Sequence, residues 1–358
     1  MKKIVALTLV AAAAAYLLLW PVPVDPVAWD APQAPELTNR FAANDQLADV
    51  EPLASGQGHG PEDVAIDTQG NLYVGYEDGR LVRYNAQGED GDLITNTEGR
   101  PLGLDLAPDG SLVVADGYRG LLRVDPSSGA VTVLTDQANG LPFRFTDDVD
   151  VARDGTIYFT DASSKFGPAM KARDDIIEHG GHGRFLKYDP ASGTTTVLMD
   201  GLQFANGVAL SAREDFVLVT QTGSYNVLRY WLQGDKAGSH DVFFDNLPGI
   251  PDGISGNGDG TFWLALFAPR NAALDAMSDK PLLRKVVFRM PQFMQPQPAR
   301  HGFVLGLDES GTVTANLQHL SDEAFAPITS AEQAGDQLYL GSLIRDSFAV
   351  YPLSNDRE

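Results

Sequence analysis

The sequence predicts an all-β protein, a six-bladed β-propeller with an N-terminal transmembrane helix. Three observations carry that prediction: an apolar stretch close to the N-terminus, a phrase of short alternating strands that recurs beyond residue 45, and glycine turns at a fixed place inside five of the six phrases. The resulting plan is a transmembrane anchor or signal segment over 1–24, a tether over 25–44 and the propeller over 45–358.

Lys2 and Lys3 precede an apolar run from Ile4 to Trp20, which Pro21 to Val24 extend before Asp25 ends it. At about 1.5 Å of rise per residue, a helix of this length approaches the hydrocarbon thickness of a bilayer. Ala11 to Ala15 contain an Ala-x-Ala match for signal cleavage, so a secreted, clipped protein is the alternative. The run stays apolar past that match, through Tyr16-Leu17-Leu18-Leu19-Trp20, and a terminal Trp suits the membrane interface; both favour an uncleaved anchor. Lysines ahead of the span, with Arg40 the first basic residue behind it, put the N-terminus in the cytoplasm and the remainder outside, in a periplasmic or other extracytoplasmic space. Pro26, Pro32 and Pro35 then mark an irregular tether.

The recurring phrase is an acidic or small residue, an alternating strand, a turn, an apolar-aromatic strand and a third strand. It reads first as Glu62-Asp63-Val64-Ala65-Ile66, Gln69-Gly70, Leu72-Tyr73-Val74, and Arg80 to Tyr84. Copies follow at Leu102 to Leu106 with Asp109-Gly110, Asp147 to Val151 with Asp154-Gly155, Asn206 to Leu210, and Asp252 to Ile254 with Asp259-Gly260; a weaker sixth runs Thr329-Ser330-Ala331 with Gly335-Asp336. Four-stranded antiparallel units at this spacing stack radially as a propeller, whereas the rival β-sandwich shows no such internal phrase. The segment from Leu47 to Leu53 has no copy of its own and is expected to supply the outer strand of the last blade. Two insertions interrupt the pattern, Ser163 to Gly183 and the apolar-basic Ala272 to Pro298; each is read as a helix or loop on the rim, the second also as a lid or a contact with an anionic bilayer surface.

Charge and composition remove several functions. Lys plus Arg number 26 against 48 Asp plus Glu, for a net charge of −22, which disfavours nucleic acid as a partner. The absence of Cys excludes disulfides, zinc-thiolate sites, thiol nucleophiles and iron–sulfur clusters. No Gly-x-Ser-x-Gly elbow, Walker loop, dinucleotide fingerprint, His-Glu-x-x-His or EF-hand loop is present.

Aligning the six phrases on Val64, Leu104, Val149, Val208, Ile254 and Ala331 puts Glu62, Leu102, Asp147, Asn206, Asp252 and Thr329 at one equivalent position, two residues earlier. In a propeller that position heads the innermost strand and points at the central channel. Each residue alone reads as a turn or strand cap. Four oxygen-bearing side chains in one register, Glu62, Asp147, Asn206 and Asp252, read instead as ligands, because converging carboxylates repel unless a cation neutralises them. All-oxygen ligation with an amide among the donors fits Ca²⁺ better than Mg²⁺. His179 and His182 are read as loop residues before a softer-metal site, and His59, three residues from Glu62, as a rim residue that is able to face the site.

The same residues carry a family resemblance. Gly60-Pro61-Glu62-Asp63, Phe145-Thr146-Asp147-Asp148 with Ile157-Tyr158-Phe159-Thr160-Asp161-Ala162-Ser163-Ser164-Lys165-Phe166, Phe204-Ala205-Asn206-Gly207-Val208, Glu214 to Val219 and Leu247-Pro248-Gly249-Ile250-Pro251-Asp252 resemble the strictosidine synthase-like proteins, nearest to the adipocyte plasma membrane-associated family. The likeness spans about residues 45 to 353. It implies kinship with the gluconolactonase and paraoxonase propellers, a calcium ion in the central channel, and lactone or aryl ester hydrolysis. It implies Glu62, Asn206 and Asp252 as calcium ligands, while Asp147 stands where relatives often carry Asn. The stretch Ile328-Thr329-Ser330-Ala331 lacks the Glu that the plant synthases use, which disfavours their condensation chemistry.

The expected function is therefore calcium-dependent hydrolysis of a small-molecule lactone or ester. Asp252 is the first choice as proton acceptor and His59 the second, with Arg144 helping to bind substrate. The rival from another class is a non-catalytic propeller, pinned by its ion, whose rim binds a partner; phosphotriester hydrolysis on the same ion is a third reading.

Overall fold

The computed structural model describes residues 1–167 and 172–353. Helix α1 (Lys2–Leu19) buries no side chain and is long and apolar enough to cross a membrane. Beyond it, six antiparallel four-stranded sheets follow one another as blades, each a meander in chain order.

The blades begin with the innermost strands Val64–Ile66, Pro101–Leu106, Thr146–Val151, Ala205–Leu210, Gly249–Gly256 and Ala331–Ala334. Each innermost strand lies against the next, and the sixth returns to the first, which closes the ring. Closure is sealed by the N-terminal side of the chain: Glu51–Leu53 pairs with Phe348–Pro352 as the outer strand of blade six, as the sequence predicts. Leu47, in the turn just before that strand, is buried between blades five and six.

The hydrophobic core is divided among the blade interfaces. Ala209, Phe216 and Leu218 of blade four meet Phe262, Leu264 and Phe303 of blade five, and similar clusters fill the other five interfaces. Every sheet is thus covered on both faces. This explains continuous apolar runs such as Phe216-Val217-Leu218-Val219, in which all four side chains are buried. Each such side chain contributes about 1.5–3 kcal/mol relative to exposure, so the closed ring gains from many modest increments.

Both insertions carry helices. The first contains α2 (Ala172–Glu178), and the second contains α3 (Ala272–Asp275) and α4 (Pro281–Arg289), followed by a single turn at Gln292–Met294. Residues 168–171 of the first insertion lie outside the described residues. Residues 25–44 are irregular, but they are strapped to the propeller rather than hanging free. Val27 donates to the Glu178 carbonyl, Trp29 to that of Ser278, and Arg270 bonds the Pro32 carbonyl.

Candidate metal centre

One backbone irregularity repeats at the mouth of the channel. In blade two, Pro101 faces Asp116 and Leu104 faces Val114, so three steps on the innermost strand match two on its neighbour. Blades three, four and five repeat this between Thr146 and Val149, Ala205 and Val208, and Pro251 and Ile254. A bulge of this kind carries one unpaired extra residue and re-aims its side chain. The residues re-aimed here are those that the register selected, Leu102, Asp147, Asn206 and Asp252. The close approach of neighbouring blades beneath them leaves no room for a side chain: a Cβ on Gly207 would lie 2.4 Å from the Ile254 nitrogen, and one on Gly253 2.6 Å from the Thr329 oxygen.

Glu62, Asp147 and Asn206 line one cavity of about 170 Å³ on the channel axis. Asp252 joins them through its Oδ1, which accepts a 2.6 Å hydrogen bond from Asn206 Nδ2 and so links blades four and five. Asp147, Asn206 and Asp252 are buried, and Glu62 Oε2 and Asp147 Oδ2 find no hydrogen-bond partner among the described residues. Burial pushes the Glu62 carboxyl up to about 7, with the Arg100 guanidinium pulling it back and Asp63 adding repulsion. Asp147 is held well above the usual carboxylate range by burial and then by the charges of Glu62 and Asp252, and Asp252 likewise by burial and Glu62.

No group of three His, Asp or Glu side chains among the described residues is arranged to hold an ion unaided, so the set also needs the Asn206 amide oxygen. With that donor, the site suits a hard cation. It offers oxygen only, in buried carboxylates that raise one another's pKa values and leave two oxygens without partners among the described residues.

Other sequence expectations fall elsewhere. His59 is exposed on the rim, its Nε2 3.6 Å from Glu77 Oε2, and is not among the cavity-lining residues. Gly60 turns the chain there with a positive φ and separates His59 from the Glu62 side. Arg144 is likewise exposed on the rim, where its backbone N–H is held by Asp161 Oδ1. His182 bonds Glu178 at 2.7 Å and His179 stacks on Trp29, which leaves both occupied by structural contacts rather than loose on a loop.

Arg100 is the functional candidate that sequence reasoning missed. It is buried, donates through Nη2 to the Gly60 carbonyl and, among the described residues, finds no partner for Nη1 beside Glu62. It lies two residues before Leu102, in the only one of the first five blades whose channel-facing residue lacks an oxygen, and that position was the available signal.

A deeper acidic layer was also missed. Asp63, Asp105, Asp148, Asp150 and Glu332 line the same cavity. Asp63 accepts from the Leu104 N–H, Asp105 from Val151, Asp148 from Val208 and Asp150 from Leu210, each bond joining one blade to the next. The signal lay one residue to one or other side of the alignment point in the first three phrases and the sixth. Glu332 follows the stretch in which no glutamate was found at the expected place; it belongs to this deeper layer, facing Asp63, Asp148, Asp105 and Asp150.

Above the mouth sits an apolar rim of Leu102, Phe145 and Phe204, with Ile176 of α2 and Leu343 packed on it.

Comparison with known proteins agrees with this architecture. The strictosidine synthase profile matches residues 147–235, and the strictosidine synthase-like N-terminal profile matches residues 39–84. The protein strictosidine synthase-like 10 of Arabidopsis thaliana is 36% identical over 323 residues, covering 82% of this chain and 85% of the relative. The chain belongs to the strictosidine synthase-like family. The adipocyte plasma membrane-associated protein of Rattus norvegicus, a second relative, is 32% identical over 91% of this chain and 92% of its own length. Among solved structures, a gluconolactonase from Xanthomonas campestris superposes with a TM-score of 0.62 at 20% identity, covering 94% of this chain and 99% of that one. The calcium-binding protein regucalcin of Agrobacterium tumefaciens gives 0.57 at 15% identity, over 84% and 90%. At these identities the two structures establish the shared propeller fold.

Proposed function

We propose that this protein is a membrane-anchored, calcium-dependent hydrolase of lactones or aryl esters, working at the mouth of the propeller channel. The observation that carries the reading is the meeting there of Glu62, Asp147, Asn206 and Asp252, with buried carboxylate oxygens left without partners among the described residues. These four residues would hold the ion. Bound calcium would supply a fixed positive charge for the oxygen that becomes negative during ester or lactone cleavage.

The chain's own residues do the rest. Asp252 is the proton acceptor, since calcium is a weak acidifier of water and this carboxylate sits in the ligand set, bonded to Asn206, within reach of a water at the ion. Arg100 takes the place of Arg144 as the cation of the site, its buried guanidinium held on the Gly60 carbonyl where its charge keeps Glu62 ionised beside the ion. His59 is withdrawn as an alternative base by its position on the outer rim. The buried cluster of Leu102, Phe145 and Phe204, covered by Ile176 and Leu343, backs the site with apolar side chains that keep water out. The similarity to a gluconolactonase supports this substrate class, and helix α1 together with the adipocyte plasma membrane-associated relative supports the anchor. The propeller is then exported, with residues 1–24 retained as the anchor.

A second reading, a non-catalytic propeller pinned by its ion, draws on the Asn206–Asp252 bond, which already joins two blades at the site. Assay of the purified full chain on phenyl acetate and a γ-lactone separates the two. The hydrolase reading expects turnover that chelator abolishes and calcium restores, with Asp252→Ala lowering it by about a hundredfold or more. Calcium binding without turnover on any ester or lactone would leave only the pinned propeller.

A further inference from the structure

We propose that α4 and the turn that follows it form a second membrane contact, a seat whose Leu282, Leu283, Phe293 and Met294 side chains enter the headgroup boundary of the bilayer that α1 crosses. The proposal rests on the reading of α1 as an anchor, but on different residues from those of the metal centre.

Arg289 ties α4 to the end of α1, donating from Nε to the Trp20 carbonyl at 2.6 Å and from Nη1 to that of Leu17 at 2.9 Å. These carbonyls lie at or just past the end of α1, where the helix leaves its acceptors unpaired and its dipole favours a cation. Lys285 bonds Asp25 at 2.7 Å just beyond the helix, and Arg284 reaches the carbonyls of Ile177 and Val27. Arg173 then links the turn to α2 through Gln295 and lies over the Phe288 ring. So α4 is fixed at the level where α1 emerges, on the side of the molecule that carries α2 and the apolar rim of the mouth.

Against that firm attachment, the outer surface is unusually apolar. Leu282 is 80% exposed, Phe293 84%, Met294 54% and Leu283 41%. Elsewhere on the propeller the large exposed hydrophobics, such as Leu93, Val133, Val242 and Leu320, sit on separate blades, which is ordinary for a protein surface. Residues 280–300 also hold Lys280, Arg284, Lys285, Arg289 and Arg300 and no acidic residue, in a chain of net charge −22. Exposed apolar side chains in a locally positive segment beside a spanning helix match the interface of a bilayer, where they gain an acyl environment and the net local charge is drawn to the anionic headgroups. A second copy carries the same net charge of −22, and two such acidic bodies repel on approach.

The absence of cysteine makes the test direct, because one introduced thiol takes one fluorophore. The full chain is labelled separately through Leu282→Cys, Phe293→Cys, Val10→Cys within α1, and Leu93→Cys and Val242→Cys on outer blades. Each is reconstituted in vesicles of phosphatidylcholine and phosphatidylglycerol carrying a spin-labelled lipid as quencher. The seat predicts lipid quenching at 10, 282 and 293, several-fold above that at 93 and 242. Quenching at 10 with 282 and 293 resembling 93 would overturn the seat and leave the anchor standing. Loss of quenching at 10 as well would remove the anchor, and the seat with it. Labels at 282 and 293 that are shielded from aqueous iodide yet untouched by lipid would assign the face to a second copy, again overturning the proposal.

Discussion

At Asp147 a buried carboxyl faces two others, Glu62 and Asp252, and its Oδ2 has no hydrogen-bond partner among the described residues. The same repulsion that burdens the metal-free protein would attract a cation, so Asp147→Asn should move two measurements in opposite directions. Removing one charge relieves the repulsion, and the metal-free melting temperature should rise. It also lowers the charge of the ligand set, and calcium affinity should fall by about tenfold, or about 1.4 kcal/mol. Melting curves in chelator and calorimetric titration of the same variant check both; a shift of both in the same direction would mean that Asp147 serves packing rather than the ion. At this scale the sequence exposed most of the site, because four bulges put Leu102, Asp147, Asn206 and Asp252 in one register and repetition made the position visible. Arg100 stayed hidden because a long side chain reaches its target from a neighbouring position, which a register counted in Cα atoms does not record. His59 shows the converse: three residues from Glu62 in sequence, it is turned to the rim by the backbone at Gly60.

Among the elements, the closing strand was legible and the course of the N-terminal segment was not. Glu51–Leu53 betrayed itself by lacking a repeat in a chain whose last blade was one strand short. Residues 25–44 are proline-rich and carry no period, so nothing local reveals their partners, Glu178 and Ser278 in the two insertions and Asn316 and Gln318 in blade five. The strap depends on His179, whose ring stacks on Trp29 with centroids 4.2 Å apart and planes 8° from parallel. Burial, reinforced by the charge of Arg284, lowers the His179 pKa to about 4 from an unfolded value of 6.5. Above pH 6.5 the ring is neutral in both states and the full stability is present. As the pH falls towards 4 the unfolded chain takes up a proton that the folded ring refuses, and stability drains away. His179→Phe keeps an aromatic ring and removes the titration. The wild type should therefore lose stability relative to this variant between pH 6.5 and 4 and hold a constant offset above pH 7, as read by thermal melts; parallel curves throughout would show that His179 does not titrate on unfolding. Other acidic groups titrate in both proteins and cancel in the difference.

For the molecule as a whole, the organising feature is an axis lined with carboxylates inside a ring of apolar interfaces. The ring was readable from period-2 strands and repeated turns, since both faces of each blade are buried and leave continuous apolar runs. The depth of the acidic layer was less readable: Asp63, Asp105, Asp148 and Asp150 look like isolated strand-start residues until the ring closes and each meets the backbone of the next blade. Once closed, the mouth concentrates negative charge that hydrogen bonds only partly satisfy, and the account assigns the remainder to a divalent ion. Calorimetric titration of calcium into the full chain after exhaustive chelation tests that assignment most directly. The account predicts a tight site at the mouth that disappears in Glu62→Gln and whose filling raises the melting temperature; absence of binding heat, with melting indifferent to calcium, would contradict it.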